Sequence, residues 1–337
     1  MRKGLNPNKD IPIEQSEFLH QVIVPVFIPN QEGYFKDSFK IFNFCIDSLL
    51  KTVHSKTFIT IVNNGSSKEV EGYLNELFKS KKIHEVIHTD NIGKLNSILK
   101  GLVGNEIELV TIADSDVLFL ENWQSETVAI FNSFPKAGVV GVVPQFRNFC
   151  HLCGNIILEN FFRKKMKFTV VKNPEALKKF NASIGANDNY NQAYLKWNLT
   201  IENNSRMAIV GSGHFVATYR RELFSQLKTY LAFKLGGDTE RYFDELPLRK
   251  GLWRMTTNDN FAYHMGNVLE DWMEVETHKK VKIACPVILK YSVDDKNISK
   301  AMYYIKNKIF VRLFKIKKIR NLFYILKGLP ADEIKNY

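Results

Sequence analysis

The sequence predicts an α/β fold, one mostly parallel sheet flanked by helices. Two observations carry this expectation. From Phe18 to Leu120, apolar β-branched runs alternate with segments of helical spacing, joined by short connections. Each run then ends in a polar or turn-forming cluster, at Pro25, Asn63-Asn64-Gly65, Asn91-Ile92-Gly93 and Asp114-Ser115-Asp116. Right-handed crossovers bring such strand ends to one rim of the sheet, where ligands of open α/β folds sit.

Phe18 to Ile28 (FLHQVIVPVFI) reads as the first strand, with Pro25 and Pro29 taking the chain out of the sheet. Phe39 to Val53 carries apolar residues at helical spacing. Thr57 to Val62 is a second strand running into the turn-forming NNGSS cluster. Lys68 to Lys79 is the next helix, Ile83 to His88 a short third strand, and Leu95 to Gly101 a third helix after Asn91-Ile92-Gly93-Lys94. The stretch from Ile107 to Leu120 (IELVTIADSDVLFL) is a buried strand that ends abruptly in two carboxylates one residue apart. Such hard oxygen ligands at a strand tip suit Mg²⁺ or Mn²⁺ holding a diphosphate, with Asp116 and Asp114 as ligands and Ser115 between them. Lys94 and the helix N-terminus behind it are placed to face the same diphosphate, unless Lys94 is a solvated surface lysine. There is no G-x-G-x-x-G and no Walker A, so dinucleotide binding and P-loop hydrolysis are not signalled.

The chain has 337 residues and a formal net charge of +12. Ten Lys/Arg and no Asp/Glu lie between Lys296 and Ala331, so the basic character belongs to the C-terminal region. The N-terminal stretch lacks an apolar core segment and no run suits a membrane span, so neither a signal peptide nor a transmembrane helix is expected. Four scattered cysteines, with Cys150 and Cys153 as a lone C-x-x-C, read as reduced thiols in a cytoplasmic setting rather than a disulfide or zinc framework.

Taken together, VIVPVF, IVNNGSS, NIGKLNSILKGL and ADSD, in this order between Val22 and Pro144, resemble the nucleotide-sugar half of GT-A-fold glycosyltransferases of the inverting family-two type. The resemblance implies a GT-A-like sheet and a nucleoside-diphosphate sugar, UDP-sugar first, bound along Pro25, Val26, Asn63, Asn64, Gly65, Asn91, Gly93, Lys94, Asp114 and Ser115. The family has a carboxylate where Asn63 stands, receiving an N–H of the base. An amide oxygen accepts that bond without charge assistance.

Phe146 to Asn204 is polar and irregular, and KKFNASIGANDNYNQAYLKWN reads as an ordered insertion or a long loop. Its Tyr190, Tyr194 and Trp197 either stack on acceptor sugars or pack. Met207 to Tyr219 returns as a strand pair, and Arg220-Arg221-Glu222 opens a helix, as in the family segment beneath the donor sugar. Gly211 and Gly213 there allow close backbone approach. After Gly236-Gly237 the family places an acidic pair whose carboxylate takes the acceptor proton. Asp244 is the first choice here, with Asp238 and Glu245 in reserve. The resemblance also makes His264, before Met265-Gly266, a third metal candidate, although a lone His is as often a packed residue.

From Lys300 to Leu326, Ile305, Ile309, Leu313, Ile316, Ile319, Phe323 and Leu326 recur in steps of three and four among Lys and Arg. This predicts one or two basic amphipathic helices, either lying on an anionic membrane surface or packed on the body; nucleic acid is not expected. The expected organisation is a nucleotide-sugar half at 18–145, an acceptor half at 146–285, and a basic helical region at 286–337. The expected function is metal-dependent inverting transfer of a sugar to a hydroxyl of a saccharide or lipid-linked glycan, in the cytoplasm or on the inner face of the membrane. A sugar nucleotidyltransferase and a non-catalytic glycan- or nucleic-acid-binding protein are the alternatives.

Overall fold

The computed structural model describes residues 16–186, 189–225, 239–282, 284–292 and 296–335, together with residues 4, 9, 11, 227 and 337. The first half follows the predicted alternation: β1 (His20–Val26), α1 (Ser38–Thr52), β2 (Thr57–Asn64), α2 (Lys68–Lys79), β3 (Glu85–Thr89), α3 (Lys94–Leu102), β4 (Leu109–Ala113), β5 (Val117–Phe119), α4 (Trp123–Ser133) and β6 (Ala137–Gly141). The second half adds α5 (Gly154–Asn160), β7 (Met166–Val170), α6 (Pro174–Ser183), β8 (Trp197–Asn203), β9 (Arg206–Val210), β10 (Val216–Arg220), α7 (Thr239–Asp244), α8 (Leu246–Arg249), β11 (Trp253–Thr257), β12 (Ala262–His264) and α9 (Asp271–Thr277). The basic region forms α10 (Lys300–Tyr304), a π turn (Ile305–Ile309), α11 (Phe310–Phe314) and α12 (Lys317–Leu326).

Among the described residues ten strands form one sheet, ordered β3-β2-β1-β4-β10-β6-β11-β9-β8-β7, while β5 pairs with β12 in a separate ribbon. β3, β2, β1 and β4 are parallel neighbours. β10 runs antiparallel between β4 and β6, and β11 is parallel to β6. Alternation along the central strands explains their burial on both faces. Val22, Val24, Ile59 and Ile61 meet Ile46 and Leu49 of α1 on one side. Ile23, Val62, Val110 and Ile112 meet Ile98 and Leu102 of α3 on the other. Pro25 is tolerated inside β1 because it lies beyond Ile23, the last β1 residue paired to β4.

Two expectations need revision. The polar stretch from Phe146 to Asn204 is ordered rather than a long loop: it holds two helices, the edge strand β7 and its neighbour β8. Tyr194 packs over Arg147 and against Tyr337, and Trp197 is part of the neighbouring core, so neither presents a free ring to a sugar. The expected apolar row of the basic region is also split. Phe310, Phe323, Tyr324, Leu329 and Tyr337 enter the core. Ile305, Ile309, Leu313 and Ile316 stay 43–48 % exposed.

A polar thread runs beneath the strands. His20, 1 % exposed, contacts Thr111 Oγ1 at 2.6 Å and Gln124 Nε2 at 3.2 Å, and Thr111 is hydrogen-bonded to Thr218 of β10. Burial first, and then the nearby His54, push the His20 imidazole down to about 3. The unfolded chain therefore holds a proton that the folded chain rejects between about pH 6.5 and that value, and stability is lost as pH falls through this window, by up to about 1.4 kcal/mol per unit from this group. Melting temperature measured against pH is expected to fall less steeply on acidification in His20→Gln than in the wild type. Parallel slopes would place the acid lability elsewhere.

Candidate active site

The strand ends assemble a cavity of about 410 Å³ at the sheet rim. Its base is Asp114, Ser115 and Asp116; Asn64, Asn91 and Lys94 form one wall, and Phe27, Tyr34 and Phe35 another. Pro25 and Val26 line it as β1 leaves the sheet, with Gly266 and Asn267 at the edge. The aromatic wall escaped the sequence reading. Its signal was Tyr34-Phe35 directly after the turn that follows β1, where exposed rings have no core to fill; Tyr34 is 70 % exposed.

The two asparagines that end β2 do different work. The Asn63 Oδ1 accepts the Ser66 N–H at 2.9 Å, and its Nδ2 lies 3.0 Å from His88 Nδ1. It is 3 % exposed and does not line the cavity. Asn64 Oδ1 accepts the Ile92 N–H at 2.9 Å and its Nδ2 donates to Asn91 Oδ1 at 3.4 Å, which fastens the end of β2 to the start of α3. Asn91 Oδ1 also accepts the Gly93 N–H at 3.2 Å. Gly65 makes this closeness possible. Its φ is +86°, and a Cβ there would stand 2.8 Å from the Asn91 nitrogen. Gly93, at φ +89°, turns the chain into α3. Asn63, Gly65 and Gly93 thus shape the rim rather than line it.

Lys94 at the start of α3 reaches Asp114 Oδ1 at 2.6 Å. The Asp114 N–H donates to Phe215 O at 2.7 Å, continuing the β4–β10 pairing past the last strand residue. Asp116 is reached differently. In the β5–β12 ribbon His264 pairs with Val117, and the Met265 N–H donates to Asp116 O at 2.8 Å. His264 Nε2 consequently lies 3.4 Å from Asp116 Oδ2, while its Nδ1 is 2.9 Å from Ser183 Oγ at the end of α6. Such a second partner fixes the ring's orientation. Asp116 Oδ1 is sheltered from solvent and has no hydrogen-bond donor among the described residues. Burial pushes this carboxyl up to about 6; His264 pulls it back, Asp114 adds to the rise and Lys94 opposes it.

That sheltered oxygen is a hard donor of the kind that could hold a divalent cation. Among the described residues no three His, Cys, Asp or Glu side chains converge on one point, so protein ligands alone would leave a cation open to further oxygen donors, the usual situation for Mg²⁺-type sites that share phosphate.

Asp244 and Glu245 face different surroundings. Asp244, 8 % exposed, has Oδ1 2.8 Å from Arg254 Nη2 and Oδ2 3.7 Å from His214 Nδ1. His214 precedes Phe215, whose carbonyl holds the Asp114 amide, so Asp244 is tied to the Asp114 end of the cavity through one short segment. Glu245 pairs with Arg241 at 2.7 Å and approaches Arg249 and Lys308. Asp238 lies outside the described residues. His214 and Arg254 were missed in the sequence: His214 sat inside a run read only as a strand pair, and nothing local marked Arg254.

The family profile of Glycosyl transferase family 2 matches residues 34–226, more than half of the chain. No curated protein matches it. Among solved structures, the crystal structure of S. aureus TarS 1–349 is similar at 14 % identity and a TM-score of 0.47, over 94 % of this chain and 77 % of that one. The mannosyltransferase PcManGT from Pyrobaculum calidifontis, in complex with GDP-Man and Mn²⁺, is similar at 12 % identity and a TM-score of 0.46, over 97 % of this chain and 80 % of that one. The family match sets aside the nucleotidyltransferase and the non-catalytic binding protein. The chain belongs to glycosyl transferase family 2 and is a glycosyltransferase.

Proposed function

We propose that the protein transfers a sugar from a nucleoside diphosphate, UDP-sugars first, to a hydroxyl of a saccharide or lipid-linked glycan, with inversion at the anomeric carbon. The observation that carries this reading is the sheltered, donorless oxygen of Asp116 beside the Lys94–Asp114 pair in the rim cavity. Mn²⁺ or Mg²⁺ held by Asp116, with Asp114 and His264 beside it, would neutralise the departing diphosphate. Lys94 and the N–H groups that open α3 supply positive potential on the same side. The aromatic wall of Phe27, Tyr34 and Phe35 offers a face for the flat base. Asn64, which lines the cavity, suits its polar edge better than Asn63, whose amide is occupied by Ser66 and His88.

In the reaction, the acceptor oxygen forms a bond to the anomeric carbon as the bond from that carbon to the diphosphate oxygen breaks. The acceptor proton passes to Asp244. Arg254 fixes one oxygen of that carboxylate and His214 flanks the other. A single displacement of this kind inverts the anomeric configuration.

The basic region supplies the setting. Among the described residues no helix is long and apolar enough to cross a membrane. Its outward row is nonetheless apolar: Ile305, Ile309, Leu313 and Ile316 are continued on α12 by Leu322 and Ile325, 51 % and 60 % exposed. Lys and Arg lie between these residues. An apolar stripe edged with cations suits an anionic lipid surface. Because Phe310, Phe323 and Tyr324 anchor the same helices in the core, deleting the region would damage the fold. Substitutions on the outward row test docking more cleanly.

Asp116→Ala is expected to lower metal-dependent transfer by about a thousandfold while leaving the melting temperature within a few degrees; unchanged turnover removes Asp116 from the site. Asp244→Asn should cut transfer by about a hundredfold or more with UDP binding intact, and loss of UDP binding instead would assign Asp244 to the donor. Leu322→Asp/Ile325→Asp is expected to abolish co-sedimentation with phosphatidylglycerol vesicles, whereas equal sedimentation of both forms discards the membrane contact.

A further inference from the structure

The helical run from Lys300 to Phe314 has two working faces. One is the outward apolar row. The other turns inward and walls a second cavity of about 230 Å³, whose lining includes Arg241, Tyr303, Asn307, Lys308, Arg312 and Lys315. Four of these six are cations, and Glu245 reaches two of them, 2.7 Å from Arg241 and 3.9 Å from Lys308. Arg312 and Lys315 have no carboxylate partner among the described residues. So concentrated a positive lining around one cavity favours an anion.

A second observation points to a ligand. Asn307 is 9 % exposed and lines this cavity. Its Nδ2 donates to Tyr303 O at 3.3 Å, and its Oδ1 has no donor among the described residues. A buried acceptor left in that state costs free energy until a hydroxyl or amine reaches it. Asn307 sits in the π turn, a departure from regular helix often found at functional sites. The wall opposite is shaped to admit that turn: a Cβ on Gly154 would stand 2.5 Å from Lys306 O, and Leu152, also in the lining, holds a φ of +51°.

The cavity adjoins the proposed proton acceptor. Glu245, which pairs with the lining residues Arg241 and Lys308, follows Asp244 directly, and Cys153, between the lining residues Leu152 and Gly154, has Asp244 and Arg254 as electrostatic neighbours. We propose that this cavity is an acceptor subsite for a saccharide carrying a phosphate ester, with Lys308, Arg312 and Lys315 holding the phosphate and Asn307 Oδ1 taking a sugar hydroxyl. The assignment of the ligand as acceptor rests on the transfer reaction proposed above; the phosphate site itself does not.

Glucose 1-phosphate titrated into the full chain, followed by ³¹P line broadening, tests the site, with glucose as the neutral competitor. Saturable broadening of the glucose 1-phosphate signal is expected, and glucose over the same range leaves it unchanged. Arg312→Ala/Lys315→Ala, both exposed positions, should weaken it at least tenfold without changing melting temperature or UDP binding. Lys94→Ala, which removes the cation of the first cavity, should leave it unchanged. Equal affinity in the wild type and the double variant, or loss of binding in Lys94→Ala alone, overturns the proposal. Failure of UDP to bind the wild type would instead overturn the transfer reading and leave the phosphate titration to stand by itself. Displacement of the sugar phosphate by phosphatidylglycerol vesicles would place the phosphate on a lipid carrier, and its absence on the saccharide; either result keeps the site.

Discussion

Two carboxylates one residue apart at the end of a buried strand repel each other and resist burial, and the surrounding chain is arranged around that strain. Asp114 is met by Lys94 from α3. Asp116 is met by His264, brought in on a ribbon that belongs to neither half of the main sheet. Even so, among the described residues one Asp116 oxygen is left without a donor. A fold selected for stability alone would not keep a carboxylate in that state; a site that receives a cation together with its anionic partner would.

The same logic links the two halves of the chain. β10 inserts antiparallel between β4 and β6, so the segment before it, Ser212 to Phe215, runs alongside Asp114. Arg254 on β11 then holds both Ser212 O, at 2.6 Å, and Asp244, at 2.8 Å. One buried guanidinium thereby fixes the spacing between the proposed acceptor side and the diphosphate side. Such spacing is what a displacement in line requires, since misplacement by about an ångström can cost two orders of magnitude in rate.

Much of the first half was legible because its signals are local. Apolar alternation gave β1 to β4, the turn residues marked the rim, and Lys68 to Lys79 is helical over the predicted span. The second half was harder for a physical reason: its strands find partners far away in sequence. Met166–Val170 looks like polar loop until β8 supplies its ladder. The α6 signal was present and passed over. Asn173 caps the helix through Ala176 N and Pro174 follows at the first turn, a start pattern hidden in an Asn-rich stretch. His264 beside Asp116 depends on the β5–β12 register, and Ser183 behind it on how α6 packs; no spacing encodes either. In the basic region periodicity showed the helices but not which row faces inward, because aromatic residues displaced the aliphatic row from the core.

The central claim is that Asp116 is completed by a cation arriving with the diphosphate. Mn²⁺ binding followed by electron paramagnetic resonance, with and without UDP, tests this most directly. The account predicts weak binding to the protein alone and at least tenfold tighter binding once UDP is present. Equal affinity in both conditions, or no bound Mn²⁺ in either, would contradict it.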